Sequence, residues 1–461
     1  MLHRVPTFLF AIVLLASAAL AQSSPAPAPP RPGPPARAAR AGVVDLVIEN
    51  ATLLTATHGR IPHGSVVVHA GKIAAFGANV AAPAGAMVID AGGKYVTPGL
   101  IDAHSHMALD DDVNEATSPI VPQMMMVDAF QYASKDIYRA LAGGVTSAML
   151  LHGSADMIGG QAVIMKTKYG LERDQLLFPN APRSIKFASG ENPKRVFGQR
   201  QQLPSTRMGN FAVQRQALVD AQDYMRQWDE YEAKKQKGDK DAKPPKRDLK
   251  LDALVDVLKG KLYVQIHCYR ADEFLTEMAM AKEFGYKLRA FHHALEAYKV
   301  ADKIAANNVG VATWADWWGF KEEAWDATPW NAVLLMRKGV RVAIKSDSED
   351  QIRRLNVEAA KTMRYGGATE DEAMKMITLN PAWIIGVDDR VGSIDVGKDA
   401  DLVIWNGYPL SSYGVPEKVF IDGELFFDRT LAGYGLTHFA GTPESLPSPP
   451  SSGAEPEAEV R

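Results

Sequence analysis

The chain of 461 residues is 46% hydrophobic and 23% charged, a balance that excludes a wholly disordered chain and a multi-span membrane protein. Its 51 lysines and arginines stand against 54 acidic residues, a formal charge of −3. That argues against nucleic acid as a partner, because binding phosphate backbones takes a basic face. The single cysteine, Cys268, permits neither an intrachain disulfide nor a thiolate zinc cluster. Any metal site must be built from histidine, carboxylate or a modified lysine.

In chain order, residues 1–21 read as a secretory signal. His3 and Arg4 precede an apolar run from Thr7 to Leu20, and Ala19-Leu-Ala21 is a small-x-small cleavage signal. The run falls short of the ~20 residues that span a bilayer. The expectation is an exported protein, periplasmic or secreted, with no membrane association after cleavage. Residues 22–42, rich in proline and alanine, predict a semi-extended tether. Residues 43–97 carry short β-branched runs broken by glycine, and the same texture returns over 388–430. They predict one small β-sandwich domain assembled from both ends of the chain. The Pro-, Ser- and Glu-rich tail, 431–461, predicts disorder. The lysine-rich stretch 230–250 reads as a solvated loop or helix end.

Between the two β-rich ends, residues 98–387 alternate strand-like and helix-like segments. Strands are predicted at 100–103, 146–151, 162–165, 184–187, 262–267, 288–291, 309–313 and 340–345. Helices with apolar residues at three- and four-residue spacing are predicted at 128–142 and 272–284. Eight such alternations predict an α/β fold, a (β/α)8 TIM-like barrel, whose chemistry sits at the carboxyl ends of the strands.

The histidines fall at those ends. In Pro98-Gly-Leu-Ile-Asp-Ala-His104-Ser-His106 the two histidines are two apart on an extended segment, so they face one side and can share one ion. His267 ends the fifth strand, His292 and His293 the sixth, and Asp347 the eighth. Lys186 ends the fourth. An ammonium beside a cluster of cations is repelled and desolvated. A lysine makes sense there once carbon dioxide has converted its neutral amine to a carbamate, an anion able to bridge two metals. Glu191, close by in the chain, offers a carboxylate for the same role without modification.

Taken together, these features resemble the amidohydrolase superfamily, in particular its imidazolonepropionase-like and Xaa-Pro-dipeptidase-like branch. The resemblance covers about residues 44–430. It rests on Val96-Thr-Pro-Gly-Leu-Ile-Asp-Ala-His-Ser-His106, Ser189-Gly-Glu-Asn-Pro-Lys-Arg195 and Leu379-Asn-Pro381. The run from Val391-Gly-Ser-Ile-Asp-Val-Gly-Lys-Asp-Ala-Asp to Ile404 adds a specific motif. The resemblance implies a hydrolase with two divalent metal ions, usually zinc. His104, His106 and Asp347 would hold one ion and His267 and His293 the other, with carbamylated Lys186 between. Metal-activated hydroxide would attack an amide or lactam carbonyl while Asp347 moves the proton.

Four positions depart from the family pattern. Lys345 stands two before the aspartate and Ser348 directly after it, Tyr269 two after the fifth-strand histidine, and His292 before the sixth-strand one. His292 is also an alternative metal ligand. Lys345 is expected to turn away from the site; facing inward, it would replace one metal or bind a substrate carboxylate. Loop residues His152, Gln161, Tyr269 and Arg270, with the tryptophans Trp314, Trp317 and Trp318, are candidates for binding a small-molecule amide or dipeptide substrate. Two other functions compete: a mononuclear aminohydrolase (deaminase) and a non-catalytic binding homologue. The sequence leaves homo-oligomerisation open.

Overall fold

A computed structural model describes residues 45–78, 80–109 and 113–431. The stretches expected to be an export signal and a tether, and all but the first residue of the C-terminal tail, lie outside the described residues. Among the described residues the chain opens with strands β1 (Leu46–Leu54), β2 (Arg60–His69), β3 (Lys72–Gly77), β4 (Met87–Asp90) and β5 (Tyr95–Pro98). The middle holds β6 (Leu100–Ser105), β7 (Val145–Leu150), β8 (Ile158–Gln161), β9 (Val163–Lys166) and β10 (Arg183–Ala188). It continues with β11 (Leu262–Cys268), β12 (Leu288–His293), β13 (Gly310–Thr313) and β14 (Val342–Ile344). The last strands are β15 (Leu402–Trp405), β16 (Pro416–Ile421) and β17 (Glu424–Asp428).

Both ends of the chain meet in one sheet, ordered β17-β16-β15-β5-β1-β2-β3, with β4 also paired to β1. The seam is β5 against β15, antiparallel, from Pro98 opposite Leu402 to Tyr95 opposite Trp405. Where the sequence reading expects a sandwich, these strands form a single hydrogen-bonded sheet. Its alternation explains its two faces. Leu402, Ile404 and Phe420 join Leu46, Ile48, Val66 and Val68 in a small core of the sheet's own. Val403, Trp405, Val419 and Ile421 join the large core beneath the helices.

A cluster of buried charges ties this sheet to the middle of the chain. Lys166, at the end of β9, reaches Asp399 at 2.9 Å, Asp401 at 3.1 Å and Asp422 at 2.5 Å, with only 1% of its side chain exposed. Asp399 and Asp401 belong to the Gly-Lys-Asp-Ala-Asp motif, so the motif's acids serve as an anchor.

The middle has a TIM-barrel-like α/β order. β10 to β14 are successive parallel neighbours, and β6 and β7 are parallel. The third stave departs from that pattern: β9 runs antiparallel to β7, and β8 antiparallel to β10. Only seven residues separate β7 from β8, whereas a parallel crossover takes a dozen or more. Reversal is the only connection of that length. The predicted helix at 128–142 is two short ones, Met126–Ala129 and Lys135–Ala142, the second capped by Ser134. The lysine-rich stretch begins inside the helix Arg207–Gln236 and continues as loop.

Alternation also sorts the middle strands. Ile185, Phe187, Val264, Ile266, Val311, Val342 and Ile344 face the helices in the large core. Lys186, Gln265, His267, Ala312, Ala343 and Lys345 lie at the opposite parity and are buried. On β6 that parity breaks. Its register against β7 shifts between Asp102 and Ser105, and a bulge of this kind re-aims the side chains beyond it. Ile101 and Ala103 pack with the inner cluster, and past the shift His104 reaches the site.

Gly99 starts this strand against Thr146, whose Oγ1 lies 2.0 Å from where a Cβ would stand. Only glycine fits.

Candidate metal centre

Five strand ends converge. His104 Nε2 lies 2.9 Å from Asp347 Oδ1, His106 Nε2 lies 3.4 Å from the same oxygen, and the two imidazole nitrogens are 3.4 Å apart. Ligands at zinc distances in a tetrahedron stand roughly 3.3–3.4 Å from one another. This tripod therefore fits one divalent cation with little adjustment. His104, His293 and Asp347 each also offer a ligand atom within 4.8 Å of the others.

The backbone is strained to aim two of these groups. His293 has φ 69° and Asp347 φ 62°, the left-handed region that residues with a Cβ avoid at a cost of about 1–3 kcal/mol each. The turn at His293 lets adjacent residues of β12 both face inward. Asp347 is held by its own N–H, which donates to His104 O at 3.0 Å and so joins the eighth strand end to the first.

Hydrogen bonds fix which nitrogen faces the centre. His106 Nδ1–H donates to Leu151 O at 2.9 Å, leaving Nε2 as the lone pair beside Asp347. His104 Nδ1 is 2.9 Å from His292 Nδ1, and His292 Nε2 is 2.9 Å from Gln265 Oε1. Gln265 donates its amide to Ile384 O, so its oxygen faces the imidazole. The proton order follows: His292 gives Nε2–H to Gln265, accepts Nδ1–H from His104, and leaves His104 Nε2 basic. Both nitrogens of His292 are thus engaged, which corrects its reading as an alternative metal ligand. Burial, reinforced by Lys186, holds His104 well below the usual imidazole range; burial does the same for His292.

Asp347 is buried, which alone would raise its pKa. The Lys345 ammonium beside it pulls the other way, and the balance holds Asp347 well below the ordinary carboxylate range. Asp102 sits behind it, accepting from His104 N at 3.0 Å, from Ser346 N at 3.2 Å and from Ser346 Oγ. Desolvation lifts Asp102 to about 6, against the pull of Ser346.

Lys345 does not turn away. Its Nζ donates to His293 Nδ1 at 2.9 Å and lies 3.1 Å from Asp347 Oδ2. The left-handed turn comes only at Asp347, beyond Lys345, and both side chains face the centre. Lys186 Nζ stands 3.4 Å from His104 Nε2 and 3.3 Å from His152 O, and His267 packs on His293 with ring centroids 4.3 Å apart.

Several other expected residues are differently employed. Glu191 starts a helix, its N–H donating to Glu323 and its carboxylate 4.0 Å from Lys321. That pairing turns it away from a bridging role. His152 donates Nδ1–H to Gly153 O and accepts Glu115 N–H on Nε2, both at 3.1 Å, so it shapes a loop instead of offering a nitrogen to substrate. Arg270 forks onto Asp272 at 2.9 and 3.2 Å. Gln161 accepts from Arg183 and donates to Pro122 O.

Tyr269 stacks on His293 with planes 6° apart, and Trp314 stacks on Trp317. Together they wall one side of the centre. Trp318 is 53% exposed. The residues not anticipated are Asp102 and Gln265. Both stand at even spacing from a site histidine, the one signal that marks them.

The match to the amidohydrolase family extends over residues 95–426. The chain belongs to this family. Among relatives, it is 33% identical over 371 residues to "Amidohydrolase tasK" of Hapsidospora irregularis, a match taking in 75% of this chain. The chain spans only 38% of that relative's length. It is 22% identical to an imidazolonepropionase of Bacillus cereus, covering 74% of this chain and 83% of that one. The crystal structure of an amidohydrolase from Thermotoga maritima MSB8 is 37% identical. It superposes with a TM-score of 0.77 over 83% of this chain and all of its own.

Proposed function

We propose that the protein is a metal-dependent amidohydrolase that opens a small cyclic amide or a dipeptide-like amide, on a (β/α)8 barrel. The observation that carries this reading is the tripod of His104, His106 and Asp347, closed to within 3.4 Å, with Asp347 aimed by its left-handed backbone. A divalent cation held there supplies a Lewis acid that acidifies water and polarises a carbonyl.

The chain's own residues do the rest. His104 and His106 present fixed lone pairs. Asp347, kept ionised by Lys345, takes the proton from the attacking water and passes it to the leaving nitrogen. Tyr269 and Trp314 exclude water from the His293 side. The substrate class is supported by the name of the Bacillus cereus relative, imidazolonepropionase. Lys345 favours a second reading, a mononuclear aminohydrolase; free ammonia from a heterocycle, in place of ring opening, would mark it.

The test is elemental analysis of the purified chain beside a screen of lactams, dipeptides and N-acyl amino acids. We expect bound metal and turnover of at least one lactam or amide. The double variant His104→Ala/His106→Ala should lose both while keeping its circular dichroism. Full turnover in that variant would sink the reading.

A further inference from the structure

We propose that the Lys345 ammonium stands where a second cation would bind, so that the centre takes one divalent ion per chain. The inference rests on the metal-dependent reading above and adds to it the ion count and the residue that sets it.

The two oxygens of Asp347 face different partners. Oδ1 turns to His104 and His106, while Oδ2 lies 3.1 Å from Lys345 Nζ and 3.8 Å from His293 Nδ1. Lys345 Nζ is 2.9 Å from that same nitrogen. The ammonium therefore takes the lone pair of His293, one of the two imidazoles a second ion would need, and leaves that ring's other nitrogen protonated.

It has no way out. The Trp314 ring covers it, with Nζ 3.5 Å from the ring centroid, and the side chain is fully buried. Trp314 is itself fixed, its indole N–H donating to Ser346 O at 3.2 Å and its ring stacked on Trp317 at 4.8 Å. Ser346 is in turn tied to Asp102. Repulsion between like charges grows as they approach and as water is excluded, so a dication and this ammonium cannot share the space. On the opposite side, Lys186 stands against His104. With one ion present it has no pair of metals to bridge, whether or not its amine is carbamylated.

In this arrangement Lys345 supplies a fixed positive charge in place of a metal. It holds Oδ2 so that Oδ1 faces the ion, and it donates a hydrogen bond to His293 Nδ1.

The test loads the full chain with excess Mn(II) in bicarbonate buffer, removes loose metal, and counts ions by mass spectrometry. Electron paramagnetic resonance then distinguishes an isolated Mn(II) from a spin-coupled pair. The expected result is one ion per chain with an uncoupled spectrum. In Lys345→Ser, and in Lys345→Ala as a second variant, two ions and a coupled spectrum are expected. Two coupled ions in the unaltered protein would overturn the proposal and leave the hydrolase reading intact. A folded Lys345→Ser that still holds one ion would also overturn it. No bound ion in any of the proteins would instead overturn the metal centre as a whole. If neither variant folds, the count in the unaltered protein decides.

Discussion

His104 and His292 meet nitrogen to nitrogen, Nδ1 to Nδ1 at 2.9 Å. The contact works only if one imidazole donates and the other accepts. Gln265 decides the direction by taking the far proton of His292. His292→Phe should therefore weaken metal affinity by about 10–100-fold, the range seen when an outer partner of a ligating histidine is removed. Chelator competition measures it. Gln265→Leu should act in the same direction, since it frees His292 to adopt the wrong tautomer.

The Lys166 cluster predicts a stability effect remote from the chemistry. Lys166→Met would leave Asp399 and Asp401, each with 2% of its side chain exposed, without their shared cation. Removing one partner of a buried ion pair costs about 3–5 kcal/mol. Chemical denaturation should register a loss of that size. An unchanged midpoint would show that Lys72 and Arg390, which also reach Asp399, suffice.

Behind β11, burial raises Glu277 from its ordinary 4.5 to about 8, and raises its neighbour Glu273 to about 7. In the folded state Glu277 thus holds a proton that the unfolded chain has released above pH 4.5. Its contribution is fully present below that pH and is lost as pH rises through 8. Glu277→Gln should flatten the decline of Tm between pH 6 and pH 9, raising Tm by a few degrees at the alkaline end, since ~1 kcal/mol shifts it by a few degrees. Thermal melts across that window are the check.

Arg270 offers a test with a small expected effect. Its guanidinium is already engaged in two bonds to Asp272, an exposed pair of the kind that contributes about 0–1 kcal/mol. Arg270→Ala should change KM for any substrate found in the screen by less than about threefold and leave Tm within a few degrees. A tenfold rise in KM would place the arginine on the substrate after all.

The alternation of strand and helix, and the position of each histidine at a strand end, were legible because burial imposes periods that sequence displays directly. The direction of β8 and β9 was not. Their residues look like any buried strand, and only the length of the preceding loop forces the reversal. Lys345 shows a second limit. Parity puts it on Asp347's side only if the strand stays regular, which the residues alone do not reveal, and the left-handed backbone at Asp347 lets both side chains meet. His152 and Arg270 show a simpler limit: residue type says what a side chain can bind, while in the structure Gly153 and Asp272 engage these two. Asp102 was within a quoted motif and went unremarked, because its partner, Ser346, lies at the far end of the chain's middle segment.

The seam between β5 and β15 has a bearing on biosynthesis. Strand β5 leaves the ribosome early and cannot acquire its neighbour until everything from β6 to β14 has followed. At about 5–20 residues per second, an unpaired edge waits on the order of tens of seconds for its complement. Premature termination anywhere upstream of residue 402 would strand that edge permanently, so a truncated product should be prone to aggregation and quick to be cleared by quality control.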